Sequence, residues 1–189
     1  MGGFIMTLAR PRRGRGVVLR RALRLTFAAW LGTAILTAPA ITPAMAQDPA
    51  FLTFGAGGFD FNDDDSTGLL SVEYLSNGRI WVFQPILGAF ATFEGGFYAY
   101  AGLGLDLFFG RRIVMTPSLA AGLYLEGGGK DLGSVLEFRS SIQLAYRFDD
   151  RSRLGIQFYH LSNANVGDDN PGANALLLTY SMPIGGQRF

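Results

Sequence analysis

Cysteine is absent from the 189 residues, and histidine occurs once. The first absence removes disulfides, thiolate nucleophiles and cysteine metal sites. The second speaks against a histidine-based metal centre. Basic residues are also scarce beyond position 46. Of the 16 lysines and arginines, seven arginines lie ahead of that point, so residues 47–189 hold nine bases against 15 acids, a net charge of −6. A nucleic-acid partner needs a dense cationic surface, which such a chain does not offer. Long helical apolar stripes, linkers and a second domain are missing as well.

The front of the chain supplies what the rest lacks. Arg10, Arg12, Arg13, Arg15, Arg20, Arg21 and Arg24 form a basic leader, followed by an apolar run from Leu25 to Leu36 and then by Ala44-Met45-Ala46. This order of charged region, apolar region and small-x-small site reads as a cleaved export signal over residues 1–46, with Gln47 as the new N-terminus. The apolar run is short for a helical anchor, which needs about 20 residues. Residues 47–189 are then one domain.

That domain alternates. In LEFRSSIQLAYRF (136–148), Leu136, Phe138, Ile142, Leu144, Tyr146 and Phe148 share one parity, broken only by Ser140, while Glu137, Arg139, Gln143 and Arg147 share the other. A strand with lipid on one side and a polar, self-paired interior on the other accounts for both faces. The same test predicts strands near 51–61, 67–75, 80–92, 96–109, 112–125, 135–148, 152–162 and 173–183. The expectation is an all-β protein: an eight-stranded antiparallel transmembrane β-barrel in the outer membrane, with both ends on the periplasmic side. Turns at 76–78, 110–111 and 149–151 are short; the alternate connections, Asn62–Ser66, Phe93–Gly95, Glu126–Gly133 and Asn163–Gly172, are mostly longer or more polar. Pro85 and Pro117 fall inside strands, where proline marks a bulge or an unpaired position. The terminal Phe189 resembles the aromatic end that such barrels present to the barrel-assembly machinery.

The chemistry concentrates in YHLSNANVGDDNPGANALLLTY (159–180). Leu154, Ile156 and Phe158 set the lipid-facing parity, and His160 and Ser162 continue it. Leu176, Leu178, Tyr180 and Met182 do the same on the last strand, continued by Asn174. Three polar side chains thus gather on the lipid-facing wall, where a polar group is costly and suggests function. An imidazole two residues from a hydroxyl on one strand face is the pairing a serine nucleophile requires. The competing reading is structural: an interfacial histidine in a polar girdle, and Ser-Asn before a Gly/Pro loop as turn chemistry.

The motif His160-x-Ser162-Asn163-Ala164, followed by Asn170-Pro171-Gly172, resembles the signature of the lipid A 3-O-deacylase (PagL) family. The resemblance implies hydrolysis of the ester-linked acyl chain at the 3-position of lipid A within lipopolysaccharide. It gives Ser162 as nucleophile and His160 as general base and acid, with water as second substrate and no cofactor or metal. Asn163 and Asn170, with Gly172 in the same loop, match positions that help hold the oxyanion. Where the family pattern carries a glutamate this chain has Asn174, whose amide oxygen accepts a hydrogen bond but brings no charge; Asp168 or Asp169 are the candidate substitute acids. Lys130 and Arg139 are the cations available for lipid A phosphates. The alternative is a catalytically inactive structural or binding barrel, and a third reading is acyl transfer instead of hydrolysis.

Overall fold

The computed structural model describes residues 48–62, 66–167 and 169–185. The export signal over 1–46, Asp168 and Phe189 lie outside the described residues.

Nine strands form among the described residues: β1 (Ala50–Phe59), β2 (Thr67–Leu75), β3 (Gln84–Thr92), β4 (Phe97–Gly104), β5 (Leu107–Phe109), β6 (Ile113–Leu125), β7 (Leu136–Arg147), β8 (Arg153–Ser162) and β9 (Ala173–Ile184). All neighbours are antiparallel. Both β4 and β5 pair with β6, and β1 pairs with β9 from Ala50 opposite Ile184 to Phe59 opposite Ala175, so the sheet closes. β4 and β5 are one stave interrupted at Leu105-Asp106, which leaves the expected barrel of eight staves. The interruption faces Pro117, whose missing N–H cannot continue the ladder; Leu105 N–H still donates to the Pro117 carbonyl at 3.0 Å.

Closure matters because a strand edge in hydrocarbon would leave backbone N–H and C=O groups unpaired. The pleat then sorts the side chains. On β7, Leu136, Phe138, Ile142, Leu144 and Tyr146 are exposed on the outer wall, while Glu137, Arg139, Ser141, Gln143 and Ala145 are buried inside. Ser140 is outward, as its parity requires.

The interior is filled by side chains. Near the end that carries Ala50 and Ile184, Arg153 donates to Asp48 at 3.1 Å and to Asp106 at 2.8 Å, and Arg147 joins Asp48 at 3.0 Å. Further up, Arg139 pairs with Glu73 at 3.1 Å and lies between the Tyr100 and Tyr159 rings. Tyr100 reaches Glu73 at 2.7 Å by lying across Gly88, where a Cβ would come within 2.5 Å of the ring. Phe59, Phe90, Tyr98 and Tyr159 stack above. Arg139 therefore faces the lumen, as its parity requires, which corrects its expected availability to lipid A phosphates.

One predicted strand is shorter than expected. Ile80–Phe83 form a turn, with one isolated bridge between Ile80 and Phe83, and β3 starts at Gln84. The run Ile80-Trp81-Val82-Phe83 does not alternate, and the last residue of β2, Leu75, already pairs with Ile86, so 76–83 have no partner strand. Trp81, with φ 59°, is 84% exposed and meets the Phe83 ring edge-on, as an aromatic side chain at a membrane interface does. In the β7–β8 turn, hydrogen bonds from the Ser152 hydroxyl and N–H hold the Asp150 carboxyl below the usual range.

Candidate active site

β8 and β9 lie side by side, with His160 opposite Asn174 and Leu161 opposite Ala173. Gln157, Tyr159 and Leu161 are buried in the lumen, and Ile156 and Phe158 are exposed. The half-exposed His160 and Ser162 continue the exposed row. Asn174 extends the row of Leu176 and Leu178 in the same way. All three polar side chains therefore sit on the outer wall, at the end of the barrel opposite Ala50 and Ile184.

His160 Nδ1 lies 2.9 Å from Asn174 Oδ1. The Asn174 amide nitrogen donates to Asn62 Oδ1, also at 2.9 Å. With the nitrogen engaged there, the oxygen faces the ring, an arrangement that suits the tautomer with its proton on Nδ1 and a lone pair on Nε2. The Nε2 edge lies open because residue 172 is glycine. A Cβ there would come 3.0 Å from His160 Cε1 and 3.5 Å from Nε2, and the φ of 65° suits glycine independently.

Ser162 Oγ accepts from Asn170 Nδ2 at 3.0 Å and from the Ala164 N–H at 3.2 Å, and it lies 3.3 Å from Asn170 Oδ1. Among the described residues no hydrogen bond joins Ser162 to His160; the hydroxyl is turned toward the β8–β9 loop. That loop is held in a strained shape. Ala164 and Asn165 both have positive φ, 54° and 62°, a conformation that asparagine tolerates but that costs a residue such as alanine about 1–2 kcal/mol. Asn163 stabilises it: its fully buried side chain donates from Nδ2 to the Leu132 and Asp169 carbonyls at 3.0 and 2.7 Å. Its Oδ1 accepts from the Asn165 N–H at 2.9 Å. The Asn163 amide is thus a clasp for the loop, and only its backbone N–H, donating to Asn170 Oδ1 at 3.1 Å, adjoins Ser162.

The structure brings together His160 with Asn174, Ser162 with Asn170, and Gly172 beside His160. Asp169 stands apart: its carboxylate accepts from the Asn170 N–H at 2.8 Å, and its carbonyl receives Asn163. Lys130 pairs with Asp60, a residue just ahead of Asn62.

Asn62 is the site residue that sequence reasoning missed. It is 112 positions from Asn174 and reaches it only because β1 closes against β9. Its segment is pinned by Asp60 N–H donating to the Asn174 carbonyl at 2.6 Å and by the Phe61 ring edge-on to Phe158 at 6.4 Å. Outward neighbours complete the surface. Ser140 lies opposite His160, Phe138 opposite Ser162, and Ala121 and Ala101 follow in the same lateral row. These small side chains leave an apolar groove of about 600 Å³ on the outer wall, lined by Ala101, Leu103, Leu119, Ala121, Phe138 and Ser140.

Fold and site together define a class: a closed outer-membrane barrel with a serine, a histidine and amides presented on its apolar outer surface. Residues 61–183 match the family model described as lipid A 3-O-deacylase (PagL), and the chain belongs to that family. It is 30% identical over 107 residues to a lipid A deacylase PagL of Bordetella bronchiseptica, covering 56% of this chain and 52% of the relative. It is 30% identical over 84 residues to the protein of the same name from Pseudomonas aeruginosa, covering 44% and 40%. The chain thus spans about half the length of the curated relatives it matches. The crystal structure of the outer membrane enzyme PagL superposes with a TM-score of 0.59 at 17% identity, over 71% of this chain and 99% of that one, and shows the shared fold. Family and barrel place the protein in the outer membrane.

Proposed function

We propose that the protein hydrolyses the ester-linked acyl chain at the 3-position of lipid A, as a serine-type esterase working on the lipid-facing barrel wall. Ser162 Oγ attacks the ester carbonyl while His160 Nε2 takes its proton. The imidazolium then protonates the departing sugar oxygen, leaving the acyl group on Ser162. Water, activated by the same nitrogen, attacks this acyl-enzyme, and the 3-hydroxy fatty acid leaves with Ser162 restored. Rotation about the Cα–Cβ bond of Ser162 is what turns the hydroxyl from Asn170 toward Nε2. Asn170 Nδ2, 3.0 Å from Oγ, supports a role as donor to the oxyanion that forms beside that atom. The apolar groove that starts at Phe138 suits an acyl chain lying along the wall.

The observation that carries the reading is the 2.9 Å contact from His160 Nδ1 to an oxygen, made on the outer face, two residues from an outward serine. Asn174 bears on rate as well as on assignment. Replacing the triad acid of a serine protease by its amide costs about 10⁴ in kcat, chiefly because the imidazole is left in the wrong tautomer. An amide whose oxygen faces Nδ1 supports the right tautomer, so the remaining cost is only the absent negative charge. Asp169 has no part in this scheme, since its carboxylate serves the loop.

Mass spectrometry of lipid A from cells expressing the protein is the test. The wild type is expected to yield lipid A lighter by one 3-hydroxy fatty acid, and Ser162→Ala an unmodified species from an equally heat-modifiable barrel. Unmodified lipid A in both strains would favour the inactive-barrel reading, and an acylated product would point to acyl transfer.

A further inference from the structure

Position 174 poses a problem that a carboxylate would not. A carboxylate presents an oxygen to the imidazole whichever way it turns, whereas an amide presents oxygen on one edge and NH2 on the other. If the Asn174 amide turned over, its NH2 would face Nδ1, and the proton would move to Nε2. Nε2 would then have no lone pair with which to accept a proton from Ser162. A half-turn of one side chain therefore separates a competent base from an incompetent one.

We infer that Asn62 sets the tautomer of His160 by holding the Asn174 amide with its oxygen toward Nδ1, and so acts as a positioning residue for the hydrolysis. This rests on the proposed function for its catalytic consequence, but not for the tautomer itself. Asn62 Oδ1 takes a hydrogen from Asn174 Nδ2 at 2.9 Å, which turns the nitrogen edge away from the ring. The residues just ahead of Asn62 tie its segment to this position. Two residues back, Asp60 N–H is tied to the carbonyl of Asn174 itself, and the Asp60 carboxylate is tied to Lys130. One residue back, the Phe61 ring rests against Phe158, directly below His160 on the outer row. The acceptor and the amide it orients are thus fixed to the same residue, one through the side chain and one through the backbone. Asn62 is exposed, so a charged replacement there does not bury a charge.

The sequence contains one histidine, so nitrogen NMR of 15N-histidine in the untagged, refolded barrel reports His160 alone. The wild type is expected to show a protonated Nδ1 and a bare Nε2. Asn62→Ala removes the acceptor, and the Nε2-protonated form should appear, with kcat on lipid A falling about two- to tenfold at unchanged KM. Asn62→Asp can only accept and should hold the wild-type tautomer. In an Asn174→Asp background, where either edge offers oxygen, Asn62→Ala should leave the tautomer alone. An unchanged tautomer in Asn62→Ala, or an equal change in the Asn174→Asp background, overturns the inference. A tautomer that responds as expected in a protein that leaves lipid A untouched supports the inference and defeats the proposed hydrolase instead.

Discussion

The barrel carries polar groups on both sides of its wall, and the two sets are built from different materials. Inside, Arg139 faces Glu73, and Arg153 faces Asp48 and Asp106: full charges, buried and paired. Outside, Asn170 donates to Ser162, and His160, Asn174 and Asn62 follow one another through hydrogen bonds, with a gap between Ser162 and His160 and no carboxylate among the five. The difference follows from what surrounds each cluster. A buried charge is tolerable when its counter-charge sits in the same closed space. A charge on the outer wall has no such enclosed counter-charge, whereas an amide asks only for hydrogen bonds. The outer cluster gives up charge, and with it must control orientation by other means.

Breaking one cluster should therefore leave the other intact. His160→Ala should lower the deacylation rate by about four orders of magnitude or more, while the unfolding midpoint in urea moves by less than about 1 kcal/mol equivalent. Arg153→Met does the reverse: it leaves Asp106 buried and unpaired and should cost about 3–5 kcal/mol of stability, read from unfolding in lipid vesicles, with kcat unchanged while the barrel is folded. Asn174→Asp gives the outer cluster the charge it lacks. The carboxylate stabilises the imidazolium, so kcat should rise by roughly ten- to a hundredfold in a steady-state assay of fatty-acid release. Asn163→Ala should lower activity about tenfold through displacement of Asn170, since it removes a buried clasp worth about 1–3 kcal/mol; limited proteolysis between 163 and 172 reports the loosened loop. The smallest effect concerns Glu137, buried with neither carboxylate oxygen hydrogen-bonded. Glu137→Gln should stabilise the barrel by about 1 kcal/mol, in contrast to any change at the paired Glu73.

The alternation of residues 136–148 was enough to assign both faces of β7, and parity alone sent His160, Ser162 and Asn174 outward. Those features are legible because a pleat of period two translates sequence directly into side. Ile80–Phe83 were not legible as a turn: a run of four apolar residues carries no period, and its place was decided by where β2 stops. Asn163 looked like an oxyanion group from the motif, yet its side chain is fully buried in loop carbonyl contacts that no local pattern announces. Arg139 was placed by parity on the interior face, and that same parity should have withdrawn it from the cations offered to phosphates. Asn62 depended on closure of β1 against β9, a contact between strands far apart in sequence that carries no local signal.

The central claim is that Ser162 is an activated nucleophile on the outer wall, driven by His160 through an amide-aligned imidazole. A long-chain alkyl fluorophosphonate, which reacts with serines only when a neighbouring base takes their proton, measures this without reference to any glycolipid. Mass analysis of the folded barrel after exposure should find one adduct, on Ser162, in the wild type and none in His160→Ala. A folded wild-type barrel that stays unlabelled, or a His160→Ala protein labelled equally fast, would contradict the account.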